Sequence, residues 1–369
     1  MMTRSFFAEP TRTRPPGFKP AYVVLSLLLA VMLFLPACPG RVYQIENSIL
    51  PDGKYDTEFP NRSCGPELKK ISESIKLINS VAYYQSFVFT ANTRLTVEKM
   101  MDPGFKRLAT EKIFYSRSAS GTATCFSRDV TRFALMTCAH IVDFPDTIIN
   151  YHRNENDKIT PFILSVAFKE RQSNYVADVA GGNDLEVLFR DETIDIAILG
   201  KEFPATEHSL VTAYAFPLGN AAELEWGDFV YLFGFPRGYK MVTRGIVSDP
   251  NRDKYTSFLV DAPFNRGFSG GIVLAVRDGA PNFELVGIAK SAAADYEYVL
   301  APEERYEQSE YDPTLPYSGE VFVRYKANIQ YGVTHITSVE AIRSMLLENE
   351  DYFRAKGYDF SAFTKPLEK

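Results

Sequence analysis

Cysteine is scarce in this 369-residue chain. Cys38, Cys64, Cys125 and Cys138 are too few for a dense disulfide scaffold and lack the paired C-x-x-C spacing of a structural zinc site. Histidine is as rare: His140, His152, His208 and His335 leave few side chains able to act as a base near neutral pH. Basic charge is also in deficit, with 40 Lys and Arg against 46 Asp and Glu and a net charge of −6. No long basic cluster follows the N-terminal region, so the electrostatic footprint of a nucleic-acid binder is missing. There is no internal repeat of solenoid period, and neither a metal nor a cofactor is expected. What is present is an apolar content of 46% with 14% aromatics, ample for one large domain or two smaller ones.

The first 20 residues carry Arg4, Arg12, Arg14 and Lys19 against a single Glu9, and an uncharged run from Ala21 to Ala37 follows. A basic segment before a short apolar one predicts a signal sequence, with a single-pass anchor as the alternative because the run is at the short limit for a membrane span. Its exit, Leu35-Pro36-Ala37-Cys38, resembles a bacterial lipoprotein box with Cys38 as the lipidated residue, although Pro36 is unusual there. Both readings export the chain and hold it at a membrane. Residues 39–65 then read as a polar tether, with Pro51-Asp52-Gly53 as a turn.

The folded domain is predicted over 66–351, with 352–369 as a C-terminal tail. Leu68, Ile71, Ile75 and Ile78 recur at helical spacing, and Val81 to Thr90 has the β-branched and aromatic composition of a strand. Short alternating runs punctuated by turns continue from there, a mainly β pattern. Gly121–Ser127 and Phe133–Ala139 form one expected hairpin, with His140 directly after it. Cys125 and Cys138 fall at roughly opposed positions, so a disulfide and a pair of buried thiols are both compatible with the spacing. Thr193–Leu199 reads as a buried strand containing Asp195, a carboxylate that needs a partner if buried. Residues 202–225 are looser and connect two halves, a first barrel at about 81–203 and a second at about 226–336. Asp278-Gly279 predicts a tight hairpin turn. Asp295 to Glu320, with eight acidic residues, five tyrosines and one Arg305, reads as an exposed insertion. Thr337-Ser338-Val339-Glu340 predicts a capping box opening a helix to about Glu348.

The stretch Asp261-Ala262-Pro263-Phe264-Asn265-Arg266-Gly267-Phe268-Ser269-Gly270-Gly271 sets a hydroxyl among glycines. Glycines there allow a tight turn and bring amide N–H groups close to a reacting carbonyl. A serine among glycines is by itself an ordinary turn signal. With His140 and Asp195 upstream it becomes the third member of a His, Asp, Ser series, the order of two-barrel serine hydrolases.

The motifs resemble those of trypsin-like (chymotrypsin-fold) serine peptidases, most of all the HtrA (Deg-type) branch. Thr137-Cys138-Ala139-His140 is similar to the family's histidine motif, and Ile194-Asp195-Ile196-Ala197-Ile198-Leu199 to its aspartate strand. Thr243-Arg244-Gly245-Ile246-Val247-Ser248 resembles the segment before the nucleophile, and Asp261 to Gly271 the nucleophile loop itself. Arg266, Phe268 and Ile272 depart from that pattern, at positions where the branch has proline, asparagine and proline. The interval from His140 to Asp195 is long for the branch and implies an insertion within 143–160. No glycine-rich peptide-binding repeat follows the C-terminal helix, so a PDZ domain is not expected.

The resemblance implies two six-stranded antiparallel β-barrels with a C-terminal helix. It implies a serine endopeptidase acting on polypeptides, with Ser269 as nucleophile, His140 as base, Asp195 orienting it, and the N–H groups of Gly267 and Ser269 as the oxyanion hole. Its pocket walls would come from 263–266, 289–294 and 331–333, with a preference for medium apolar side chains. The alternative is a catalytically degenerate module that keeps the fold and binds peptides or partner proteins in the cell envelope.

Overall fold

The computed structural model describes residues 51–364 apart from 61, 157, 180–181, 204–210, 256, 303–313 and 315. The apolar run 21–37 and Cys38 lie outside the described residues. Among the described residues no helix is long and apolar enough to cross a membrane.

The fold is mainly antiparallel β, in two parts. The first is a seven-stranded sheet of β1 (Ile75–Val88), β2 (Glu111–Arg128), β3 (Arg132–Thr137), β4 (Thr147–Arg153), β5 (Ile159–Val176), β6 (Glu186–Asp191) and β7 (Ile196–Glu202). Its order is β4-β5-β1-β2-β3-β7-β6. Ile78, Ser80, Ala82, Tyr84 and Ser86 alternate inward along β1, the period-two pattern that hides one face of a strand. The second part is a closed barrel in the order β10-β13-β12-β11-β8-β9. It comprises β8 (Phe229–Gly234), β9 (Met241–Asp249), β10 (Phe258–Val260), β11 (Ile272–Val276), β12 (Phe283–Pro302) and β13 (Val321–Ser338).

The second half is the expected six-stranded barrel, and the first is a half-barrel sheet of seven strands within the same two-part, mainly β fold. β4 adds a seventh strand outside β5, and closure is only hinted at by the bonds from Leu185 N to Asn174 O (2.8 Å) and from Asn174 Nδ2 to Leu185 O (3.1 Å). The insertion expected within 143–160 is occupied by β4 and the turn into β5, and the outer end of the β4–β5 hairpin closes over a second small core of Phe87, Phe89, Leu95, Phe105, Ile163 and Val166.

Other boundaries move for physical reasons. The helix α1 (Gly65–Glu73) ends before Ile75, and Ile75 and Ile78 sit at the start of β1, where both faces of the strand are buried. Residues 51–59 are not a free tether: Tyr55 is buried, bridges to Arg277, and its hydroxyl donates to Glu284. The domain also runs past residue 351, since α4 (Glu350–Ala355) and the segment after it bury Phe353, Tyr358, Phe360 and Phe363 in the main core.

Helix α3 (Val339–Glu348) starts one residue later than the capping box implied. Ser338 Oγ accepts from Ala341 N at 3.2 Å, whereas Thr337 Oγ1 donates to Ile194 O, and Glu340 Oε1 accepts the Ala221 N–H. The stretch 295–302 is also not a loop. It continues β12 and pairs with β13 as far as Pro302 opposite Val321.

Candidate active site

His140 lies in the single-turn helix α2 (Ala139–Val142), which follows β3 after Cys138. No side chain caps that helix from its own first position, so its opening N–H groups need partners from elsewhere. Asp195 supplies them: its backbone oxygen accepts from Ala139 N at 3.1 Å, and its Oδ1 accepts from His140 N at 3.0 Å. The second carboxylate oxygen lies 2.8 Å from His140 Nδ1. Asp195 is buried, and these bonds satisfy a carboxylate that would otherwise be costly to hide.

The backbone at Asp195 has φ +58°. It is the last residue of the turn before β7 and not part of that strand as the pattern of alternation suggested; the left-handed conformation, which aspartate tolerates better than most residues, brings its carbonyl and carboxylate to bear on the same helix. A carboxylate can only accept, so the proton of a neutral imidazole resides on Nδ1. Nε2 is then the lone-pair nitrogen, on a ring that is 46% exposed.

Ser269 is on the loop between β10 and β11, and that loop is held by its backbone. Gly270 N donates to Ala289 O (2.8 Å), Ala289 N to Gly271 O (2.7 Å), and Phe268 N to Asn265 O (3.0 Å). Gly267 and Gly270 have φ of +106° and +84°. A Cβ at Gly270 would lie 2.0 Å from Thr122 O, so both conformation and space require glycine there. The N–H groups of Gly267 and Ser269 make no hydrogen bond among the described residues, which leaves two neighbouring donors on one loop uncommitted.

Two threonines of the first sheet brace this loop: Thr137, which opens the histidine motif, and Thr122, which lies outside every motif. Thr122 on β2 donates its N–H to Ser269 O (2.8 Å) and its hydroxyl to Gly267 O (2.6 Å), while that hydroxyl accepts from Phe235 N (2.9 Å). Thr137 Oγ1 in turn donates to Thr122 O at 2.6 Å. The departures from the family pattern also find places. Phe268 is buried against Phe264 and over Gly234, Ile272 opens β11 inside the core, and Arg266 is exposed.

Shared neighbours bring the histidine turn and the serine loop together. Gly121 touches both: a Cβ there would meet Ile141 at 2.8 Å and Ser269 O at 2.9 Å. Cys138 Sγ donates to Ala289 O, the carbonyl that receives Gly270 N. No hydrogen bond joins Ser269 Oγ to the His140 ring among the described residues. Of the expected pocket walls, Phe264 and Ala289 are buried, while Pro263 and Val333 are exposed.

Cys125 and Cys138 are both free and buried. The register explains why they are not bonded: Cys125 faces Leu135, three residues before Cys138, and the two thiols donate to different carbonyls, of Ser127 and Ala289. Cys138, His140 and Asp195 do bring potential metal-ligand atoms within 4.8 Å of one another. Burial and then the nearby Asp195 charge hold the Cys138 thiol well above its usual range, and its hydrogen goes to Ala289 O.

Residues 121–288 match the family model described as a trypsin-like peptidase domain. Over that stretch the chain carries a trypsin-like peptidase domain, which supports a serine-type endopeptidase acting on polypeptides. One similar solved structure is a serine endoprotease from Yersinia pestis, at 16% identity and a TM-score of 0.36, covering 80% of this chain and 68% of that one. No curated protein matches the chain.

Proposed function

We propose that this protein is an exported, membrane-tethered serine endopeptidase of HtrA-like type in which Ser269, His140 and Asp195 carry the reaction. The observation that carries the reading is the 2.8 Å contact of Asp195 Oδ2 with His140 Nδ1, which leaves Nε2 as a base beside a loop with two uncommitted N–H donors. His140 Nε2 takes the Ser269 hydroxyl proton as Oγ attacks the scissile carbonyl, then passes it to the leaving amine. Asp195 holds the ring in the productive tautomer and stabilises the imidazolium. The Gly267 and Ser269 N–H groups receive the developing oxyanion, each donor contributing about 3–4 kcal/mol. Water then attacks the acyl-enzyme and releases the second product. The contact of Ser269 Oγ with Nε2 forms as substrate binds, since such bonds often tighten only in the substrate complex.

Export rests on the basic segment and apolar run before Pro36, and tethering on that run or on a lipid at Cys38. The mass of the mature N-terminus distinguishes them, because cleavage before Cys38 with an added acyl mass belongs to a lipoprotein and an intact leader to an anchor. For the chemistry, a fluorophosphonate probe should label the wild type at Ser269 and leave Ser269→Ala unlabelled. A well-folded wild type that resists labelling would support the degenerate binding module instead. Small residues such as Ala289 in the wall fit a preference for medium apolar side chains, and peptide-library cleavage chiefly after Arg or Lys would refute it.

A further inference from the structure

The ladder between β11 and β12 ends at Ile272 opposite Ile288, whereas β12 and β13 remain paired as far as Pro302 opposite Val321. The outer half of this hairpin, 293–302 with 321–330, is therefore a two-stranded ribbon with no third strand among the described residues. Such a ribbon is marginal in water unless one face is covered.

Its two faces differ. Tyr298 pairs with Tyr325 and Leu300 with Val323, and by alternation Tyr296 and Val321 share their side. These six side chains are between 54% and 77% exposed. Tyr296 and Tyr325 stack with ring centroids 5.0 Å apart, and Tyr298 lies 5.1 Å from Tyr325, so the rings form a continuous apolar surface. The opposite face carries the charge: Glu297 pairs with Lys326, and Arg324 donates to Pro302 O.

We propose that this aromatic face is a docking surface for the same face of a second copy, giving a two-fold dimer through the ribbons. Three arguments select that occupant. The face contains no charged side chain and meets its own image without leaving an ion buried, as an isologous contact requires. Its size fits: with a whole tyrosine side chain covering roughly 150–250 Å², the six exposed side chains amount to on the order of 700 Å² per copy, close to the roughly 800 Å² that each partner gives a standard interface. The segment 303–320 that joins the strands holds six acidic residues against Arg305, which disfavours an anionic lipid surface. The proposal does not depend on which residues are catalytic.

The test uses the full-length chain, with a photo-crosslinking benzoylphenylalanine at Tyr298 and particle mass measured by light scattering. Expected are a dimeric mass at micromolar concentration and a crosslink from position 298 to a 296–325 peptide of another copy. Leu300→Glu should weaken self-association by about 30-fold or more, as loss of a central contact does. Val323→Lys, on the neighbouring strand, repeats the test should the first variant fold poorly, and near-ultraviolet circular dichroism checks both. A monomeric wild type, a dimer unaffected by either folded variant, or crosslinks that go to a polypeptide substrate or to phosphatidylglycerol vesicles would each overturn the proposal.

Discussion

The two β halves hold their shares of the site by different means. The first sheet, open at β4 and β6, contributes His140 and Asp195 through side-chain and cap bonds around one short turn. The closed barrel contributes Ser269 through a loop fixed almost entirely by backbone contacts and glycine conformations. Side-chain chemistry can be edited one atom at a time, whereas a backbone-built loop changes as a unit. Substitutions in the first half should thus alter rate with little effect on stability, and those in the second should alter both.

The largest effect tests the first half. Asp195→Asn keeps the shape but permits the wrong imidazole tautomer, and kcat should fall on the order of 10⁴-fold with a thermal midpoint near that of the wild type. Equal losses of stability and rate would erase the contrast. Next, Gly270→Ala forces a Cβ against Thr122 O at a φ of +84°. It should cost about 3 kcal/mol or more in urea unfolding and about 10²–10³-fold in kcat through the displaced oxyanion donors.

Thr122→Val is milder and joins the two halves. It removes the hydroxyl between Gly267 O and Phe235 N, which should cost about 1–3 kcal/mol and roughly tenfold in kcat, with KM little changed.

The smallest expected effect lies in the barrel and away from the cleft. Burial raises the Asp228 carboxyl from 3.8 to about 6, so the folded state holds its proton where the unfolded chain has already released it. Stability should therefore fall as pH rises from about 4 to 6. Asp228→Asn should flatten that slope in urea midpoints without changing activity, and an unchanged slope would show that Asp228 does not set it.

The serine loop, the histidine after its hairpin and the buried aspartate were all legible as residues because each has a distinctive local pattern. The bracing threonines were not. Thr122 and Thr137 look like any strand threonine, and their roles exist only where β2 meets the barrel. Asp195 was placed in a strand because the alternation from Ile194 onward is strand-like, while the positive φ that ends the turn has no single-residue signature when glycine is absent. The open first sheet was equally hidden, since strand order and closure are set by pairing between segments distant in sequence. Tyr55 and Phe353 lie in stretches whose aromatics are dispersed among charged and polar residues with no helical or strand period, although those aromatics are what anchor each stretch.

Thr122 belongs to one half of the molecule and to the loop geometry of the other. A nascent chain that has folded only its first sheet has the histidine turn but no serine loop, and the barrel alone lacks the hydroxyl that shapes Gly267. Under the proposed mechanism the reacting groups are therefore assembled only when the two halves pack together, and folding of either half alone leaves the set incomplete.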